Sequence, residues 1–127
     1  MMKRKPTIID QQIIGNTARL TLHVDHDIED FQGHFPSHPV LPGVSQIDWA
    51  VSYAVQLLDT PPYFTGMEVL KFQEPILPGM SVLLELRWLH DKGKLQFCYS
   101  SGQVGDSVRM HASGRLMMGD NQLISGS

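Results

Sequence analysis

Between Leu20 and Leu70 the chain has no lysine and no arginine, while seven carboxylates lie in the same fifty-one residues. A segment with that balance repels a phosphate backbone, which argues against nucleic acid as its partner. Cysteine is almost as scarce. Cys98 stands alone in 127 residues, so an internal disulfide is excluded, and it falls in a strand-like run as a small core residue or a partner contact. No apolar run approaches the ~20 residues of a membrane-spanning helix, which excludes insertion by that route. The basic start, Met1-Met2-Lys3-Arg4-Lys5, is followed by Pro6 and mixed residues rather than the apolar centre of a signal peptide, so the expected compartment is the cytoplasm. A glycine-rich phosphate loop and a G-x-S-x-G elbow are also missing, which sets aside nucleotide-cradling and serine-hydrolase chemistry.

What is there is a globular composition, 42% hydrophobic and 18% charged, in a length suited to a single domain over residues 1–127 that leans on a partner subunit. Arg19 to Asp25 alternates, with Leu20, Leu22 and Val24 on one side, as a half-buried strand does. Gly33, Pro36, Pro39 and Pro42 then predict a stiff loop. Ile47, Ala50, Val51, Ala54, Val55 and Leu58 recur at helical spacing, which predicts a helix near Val44 to Leu58, stopped by Asp59-Thr60-Pro61-Pro62.

Beyond it lie four strand-like runs. "MEVLKFQEPI" ends in a turn at Leu77 to Gly79. "SVLLELRWLH" puts Val82, Leu84, Leu86 and Trp88 on one face, "KLQFCYS" does so with Leu95, Phe97 and Tyr99, and "VRMHASGRLMM" with Val108, Met110 and Ala112. Turn signals at Asp91-Lys92-Gly93 and Gly105-Asp106 make these an antiparallel meander. The expectation is an α+β fold of the hot-dog kind, a curved antiparallel sheet wrapped around one central helix, with a frayed tail from Asp120 to Ser127. Lys71, Arg87, Lys92, Lys94, Arg109 and Arg115 form either a solvated face or a docking patch for an acidic partner.

The chemistry concentrates in "GHFPSHPVLPGVSQIDWA", Gly33 to Ala50. Asp48 falls at the border of the helix's apolar stripe and is expected to be half-buried. With no cation near it in sequence, its carboxyl should be held partly protonated, as a general acid requires; the alternatives are a cap or a partner from the distant sheet. His34, in the proline-rich loop, is a candidate general base. Pro42 precedes Gly43 where the helix begins, so the first backbone N–H groups, of Gly43 and Val44, point outward with the positive end of the helix dipole and can hold a developing oxyanion. His23, His26, His34 and His38 do not fit a metal site, because prolines separate the last two and no cysteine supports them. Ser45 reads as a first-turn helix residue without a base of its own.

This stretch resembles the active-site segment of the 3-hydroxyacyl-[acyl carrier protein] dehydratases, whose pattern is G-H-F-P, a proline-rich turn, P-G and an acid in the central helix. The wording "LPGVSQIDWA" is most like the short dehydratases of aryl polyene gene clusters, and "VLKFQEPILPGMSVLLEL" extends the likeness past the helix. The resemblance implies removal of water from a (3R)-3-hydroxyacyl thioester on acyl carrier protein, with no metal and no organic cofactor. It carries the family's histidine, oxyanion glycine and acid to His34, Gly43 and Asp48, with base and acid interchangeable between the first and last. It further implies a homodimer in which His34 of one protomer faces Asp48 of the other. A hot-dog thioesterase, a non-enzymatic acyl-binding module and a subunit of a heterodimer are the competing readings.

Overall fold

The structure, a computed structural model, describes residues 3–31, 39–102 and 107–120. Residues 33–38 of the predicted loop from Gly33 to Pro42, the turn at Gly105-Asp106 and the tail after Asp120 therefore lie outside the described residues. Two strands, β1 (Thr7–Ile14) and β2 (Thr17–His23), precede a helix, α1 (Gly43–Leu58). Four strands follow: β3 (Tyr63–Phe72), β4 (Ser81–Leu89), β5 (Lys94–Ser101) and β6 (Arg109–Gly119). They form one six-stranded antiparallel sheet in the order β1-β2-β4-β5-β6-β3.

The alternating runs produce the sheet's inner face. Leu20, Leu22, Leu84, Leu86, Leu95 and Leu116 are fully buried, with Phe97, Tyr99 and Ala112 beside them. Trp49, Ala50, Tyr53 and Ala54 of α1 complete this core. Covering such a row of aliphatic and aromatic side chains is worth roughly 1.5–3 kcal/mol each, which is why one helix suffices to hold one face of the sheet. Val108 departs from the expected pattern: it is exposed, because it precedes β6 and a bulge at Tyr99/Ser100 shifts the pairing there.

Two features of the topology are not local. The segment after β3 does not return as a hairpin. The Gly79 N–H donates to the Val24 carbonyl at 2.6 Å and the Val24 N–H to the Met80 carbonyl at 2.8 Å, so the Leu77–Gly79 turn delivers β4 beside β2. Gly79 has φ +87°, and the His26 ring would lie 2.7 Å from any Cβ there, so only glycine serves. β3 is left at the far edge, paired with β6. The helix ends as expected, with Asp59 in the left-handed region at φ 54° ahead of the two prolines.

Candidate active site at the start of the helix

The start of α1 is fixed from three directions. The Leu41 N–H donates to the Ile76 carbonyl at 2.8 Å, tying the incoming chain to the segment after β3. The Tyr99 hydroxyl on β5 donates to the Gln46 carbonyl at 2.6 Å from a fully buried position. Ser45 Oγ donates to the Asp30 carboxylate, which belongs to the short 3-10 turn Glu29–Phe31. Ser45 is thus a first-turn helix residue, and its hydroxyl is committed to holding the preceding segment against the helix.

The Pro42 carbonyl accepts from the N–H groups of Ser45 and Gln46, at 3.1 and 3.2 Å. Gly43 and Val44 therefore present the N–H groups left over at the helix start, with no partner among the described residues and no side-chain cap. Gly43 lies against β3: a Cβ there would meet the Phe72 ring at 2.7 Å. Beside it is a groove of about 370 Å³, lined by Val40, Leu41, Gly43, Gln46, Phe72 and His111 among others. Two of these were not indicated by sequence reasoning. Gln46 is buried, donating from Nε2 to the Leu41 carbonyl at 3.3 Å, and its Oε1 has no partner among the described residues. His111 is also buried, with Nε2 2.7 Å from Ser101 Oγ and Nδ1 2.9 Å from the Glu74 carbonyl. Polar residues spaced like apolar ones carry no signal of burial, and each is accommodated only because distant residues supply its partners.

Asp48 corrects the sequence reading. In the single chain it is exposed, not half-buried. The helix turns its deepest line through Ser45, Gln46, Trp49, Ala50, Tyr53 and Ala54, which leaves Asp48 on the flank; Ile47, Val51 and Val55 are only partly covered. Nor is the carboxylate without a cation. The amino-terminal segment folds across the helix, where the Trp49 indole N–H donates to the Arg4 carbonyl at 2.9 Å and Lys5 Nζ lies 5.3 Å from the Tyr53 ring centre. Burial pushes the Lys5 ammonium below its ordinary value, and the charges of Asp48 and then Asp30 oppose that shift. Arg4 Nε stands 3.0 Å from Asp30 Oδ1, without the alignment of a hydrogen bond. His34 lies outside the described residues, so its distance to Asp48 and to Gly43 is not part of the structure.

Of the two readings of Cys98, a core residue or a partner contact, the structure does not bear out the first. It is half-buried on the face opposite Phe97 and Tyr99, where burial, with the Glu85 charge beside it, pushes its thiol up. Of the six basic residues from Lys71 on, three are paired: Lys94 Nζ meets Glu68 at 2.8 Å, and Arg109 and Arg115 approach Glu74 and Glu68 at 3.8 and 3.7 Å.

One helix covered by a single antiparallel sheet, with the helix start open at the sheet's end, defines a hot-dog fold. Comparison with known proteins narrows this to a family. Residues 10–115 match the model of the ApeI-like family, described as ApeI dehydratase, and the chain belongs to it. A curated relative, the 3-hydroxyacyl-[acyl-carrier-protein] dehydratase FabZ of Fusobacterium nucleatum, is 32% identical over 118 residues, 87% of this chain and 79% of that one. Among solved structures, the dehydratase heterocomplex ApeI:P from Xenorhabdus doucetiae matches with 35% identity and a TM-score of 0.75, over 89% of this chain and 96% of that one. An uncharacterized protein from Erwinia carotovora subsp. atroseptica matches with 39% identity and a TM-score of 0.74, over 92% and 95% of the two chains.

Proposed function

We propose that this dehydratase removes water from (3R)-3-hydroxyacyl thioesters carried on acyl carrier protein, giving trans-2-enoyl thioesters in fatty acid or aryl polyene biosynthesis. The observation that carries this reading is the helix start: Gly43 and Val44 offer N–H groups beside a groove that Val40, Leu41, Phe72 and Pro75 line together with polar residues. A thioester carbonyl accepting from Gly43 becomes more electrophilic and its C2 proton more acidic, because the enolate-like charge that develops on oxygen meets fixed donors.

His34 takes the C2 proton and Asp48 gives one to the departing C3 hydroxyl, so the C2–H and C3–O bonds break, the double bond forms and water leaves. The imidazolium then returns its proton to Asp48 through solvent. The same chemistry balances with the two roles exchanged. No step calls for a metal or an organic cofactor.

The active unit is read as a homodimer with shared sites. Its support is the exposure of Asp48 in one chain, which leaves it open to a partner's His34, and the apolar exposed edge of β3, where Tyr63, Phe64, Met67, Val69 and Phe72 lack cover. A second sheet joined at that edge satisfies both its backbone groups and its side chains. Residues 1–127 are taken as one domain acting in the cytoplasm; no helix among the described residues is long and apolar enough to cross a membrane.

The test is the purified chain alone, given 3-hydroxyacyl groups of several lengths on acyl carrier protein and followed by the absorbance of the enoyl thioester. Enoyl product supports the proposal. Release of free thiol without enoyl product replaces it with thioester hydrolysis, and product formed only after adding a second hot-dog subunit replaces the homodimer with a heterocomplex.

A further inference from the structure

The sheet has two edges, and β1 forms the one opposite β3. Every residue of β1 is exposed, yet the strand reads Thr-Ile-Ile-Asp-Gln-Gln-Ile-Ile. Ile8, Ile9, Ile13 and Ile14 are 40, 57, 42 and 68% exposed, an unusual load of isoleucine for a strand whose outer backbone groups have no partner among the described residues. Edges that stay single are normally blunted by lysine, proline or charge directed inward, and between Thr7 and Ile14 the only such device is a bulge near Ile8.

The order of residues says what fits. Read outward from Gln11, the strand is nearly a palindrome: Asp10 and Gln12, then Ile9 and Ile13, then Ile8 and Ile14. A second copy laid antiparallel about a two-fold axis through Gln11 sets Ile9 against Ile13, Asp10 against Gln12 and Gln11 against itself. The faces agree. Gln11 and Ile13 stand opposite Leu20 and Ala18 of β2, hence on the helix side, as does Ile8 opposite Leu22; Ile9 is the extra residue of the bulge, so Ile8 and Ile9 together take the place across from Leu22, while Asp10 and Gln12 stand opposite Thr21 and Arg19, on the outer side.

Isoleucine thus meets isoleucine on one face, and a carboxylate meets an amide on the other. Neighbouring registers are worse. A shift by one residue sets helix-side positions against outer-side ones. An axis through Asp10 opposes two carboxylates, and an axis through Gln12 sets Ile13 against Gln11. We infer that β1 is a self-association edge, through which two copies of this chain pair antiparallel about Gln11. Because it lies across the sheet from β3, the pairing leaves a β3-joined dimer intact and links such dimers into assemblies of four chains or more.

The experiment reads assembly mass by light scattering on the full chain. Gln11→Lys and Gln11→Glu each set like charges face to face on the axis, on an exposed residue outside the proposed catalytic site. Each is expected to halve the wild-type mass or reduce it further while dehydration per chain and the far-ultraviolet spectrum stay unchanged. An equimolar mixture of the two variants, which sets an ammonium against a carboxylate on the axis, is expected to regain the wild-type mass. Equal masses for wild type and Gln11→Lys overturn the inference, and so does a mixture that stays small. In a Cys98→Ser background, Gln11→Cys should cross-link on oxidation, since opposed antiparallel Cα atoms lie about 4.5–5.5 Å apart. Gln12→Cys should not, and equal cross-linking of the two overturns the register.

Discussion

Removing one buried hydroxyl tests how the helix is anchored. The Tyr99 oxygen, on a fully buried ring, donates at 2.6 Å to the Gln46 carbonyl in the first turn of α1. Tyr99→Phe deletes that bond and little else, since the ring's edge-to-face contact with Phe97, centres 6.1 Å apart, survives. The Gln46 carbonyl is still the acceptor for the helix's own ladder, so it is not orphaned, and the cost stays near the net worth of one hydrogen bond, about 1 kcal/mol. For a domain of this size that lowers Tm by roughly 3–6 °C. The assay is thermal and urea unfolding at fixed protein concentration, because linkage to assembly would otherwise move the midpoint. Turnover should fall only a few-fold, as the donors at Gly43 are aimed less firmly. Unchanged stability would mean that the hydroxyl does not anchor the helix, and a loss above about 3 kcal/mol would mean that the core around it has rearranged.

Other outcomes follow from the charges and the thiol. Burial works against the Asp25 carboxylate, but hydrogen bonds from Thr7 and Lys3 outweigh it and hold its pKa below the ordinary 3.8. Its contribution to stability is therefore full above that value and lost as pH falls through the lower folded pKa. Asp25→Asn should be less stable than wild type at pH 7, and the difference should close in unfolding curves taken below about pH 4. Cys98, raised by burial and the Glu85 charge, should react with iodoacetamide more slowly at pH 7.5 than a free thiol does, and Glu85→Gln should speed it.

The parts of the fold legible in the sequence were those with local causes. The spacing of Ala50, Ala54 and Leu58 and the stop at Pro61-Pro62 yield the helix. The alternation of Val82 to Trp88 and of Leu95 to Tyr99 yields two central strands, all of whose named residues are buried. The place of β3 at the far edge was not legible, because it depends on the Gly79–Val24 crossing rather than on anything within β3. The burial of Asp48 was misjudged for a similar reason. A stripe drawn through aliphatic residues alone omits Ser45, Gln46, Trp49 and Tyr53, and adding them rotates the covered face away from Asp48. Its cation, Lys5, comes from the amino-terminal segment that folds across the helix and could not be seen by scanning sequence neighbours. The chemistry assigned to Gly33 to Ala50 rests on residue types rather than on observed positions, since residues 33–38 lie outside the described residues.

The central claim, that His34 and Asp48 of different chains make one dehydration site, is tested most directly by mixing. His34→Ala and Asp48→Asn should each be folded and lower dehydration by roughly a hundredfold or more, the scale of a lost general acid or base. After subunit exchange at equal amounts, half of the dimers are mixed and each holds one intact site of two, so the account predicts recovery to about a quarter of wild-type turnover per chain. Mixed dimers demonstrated by mass but no more active than the parents would contradict it.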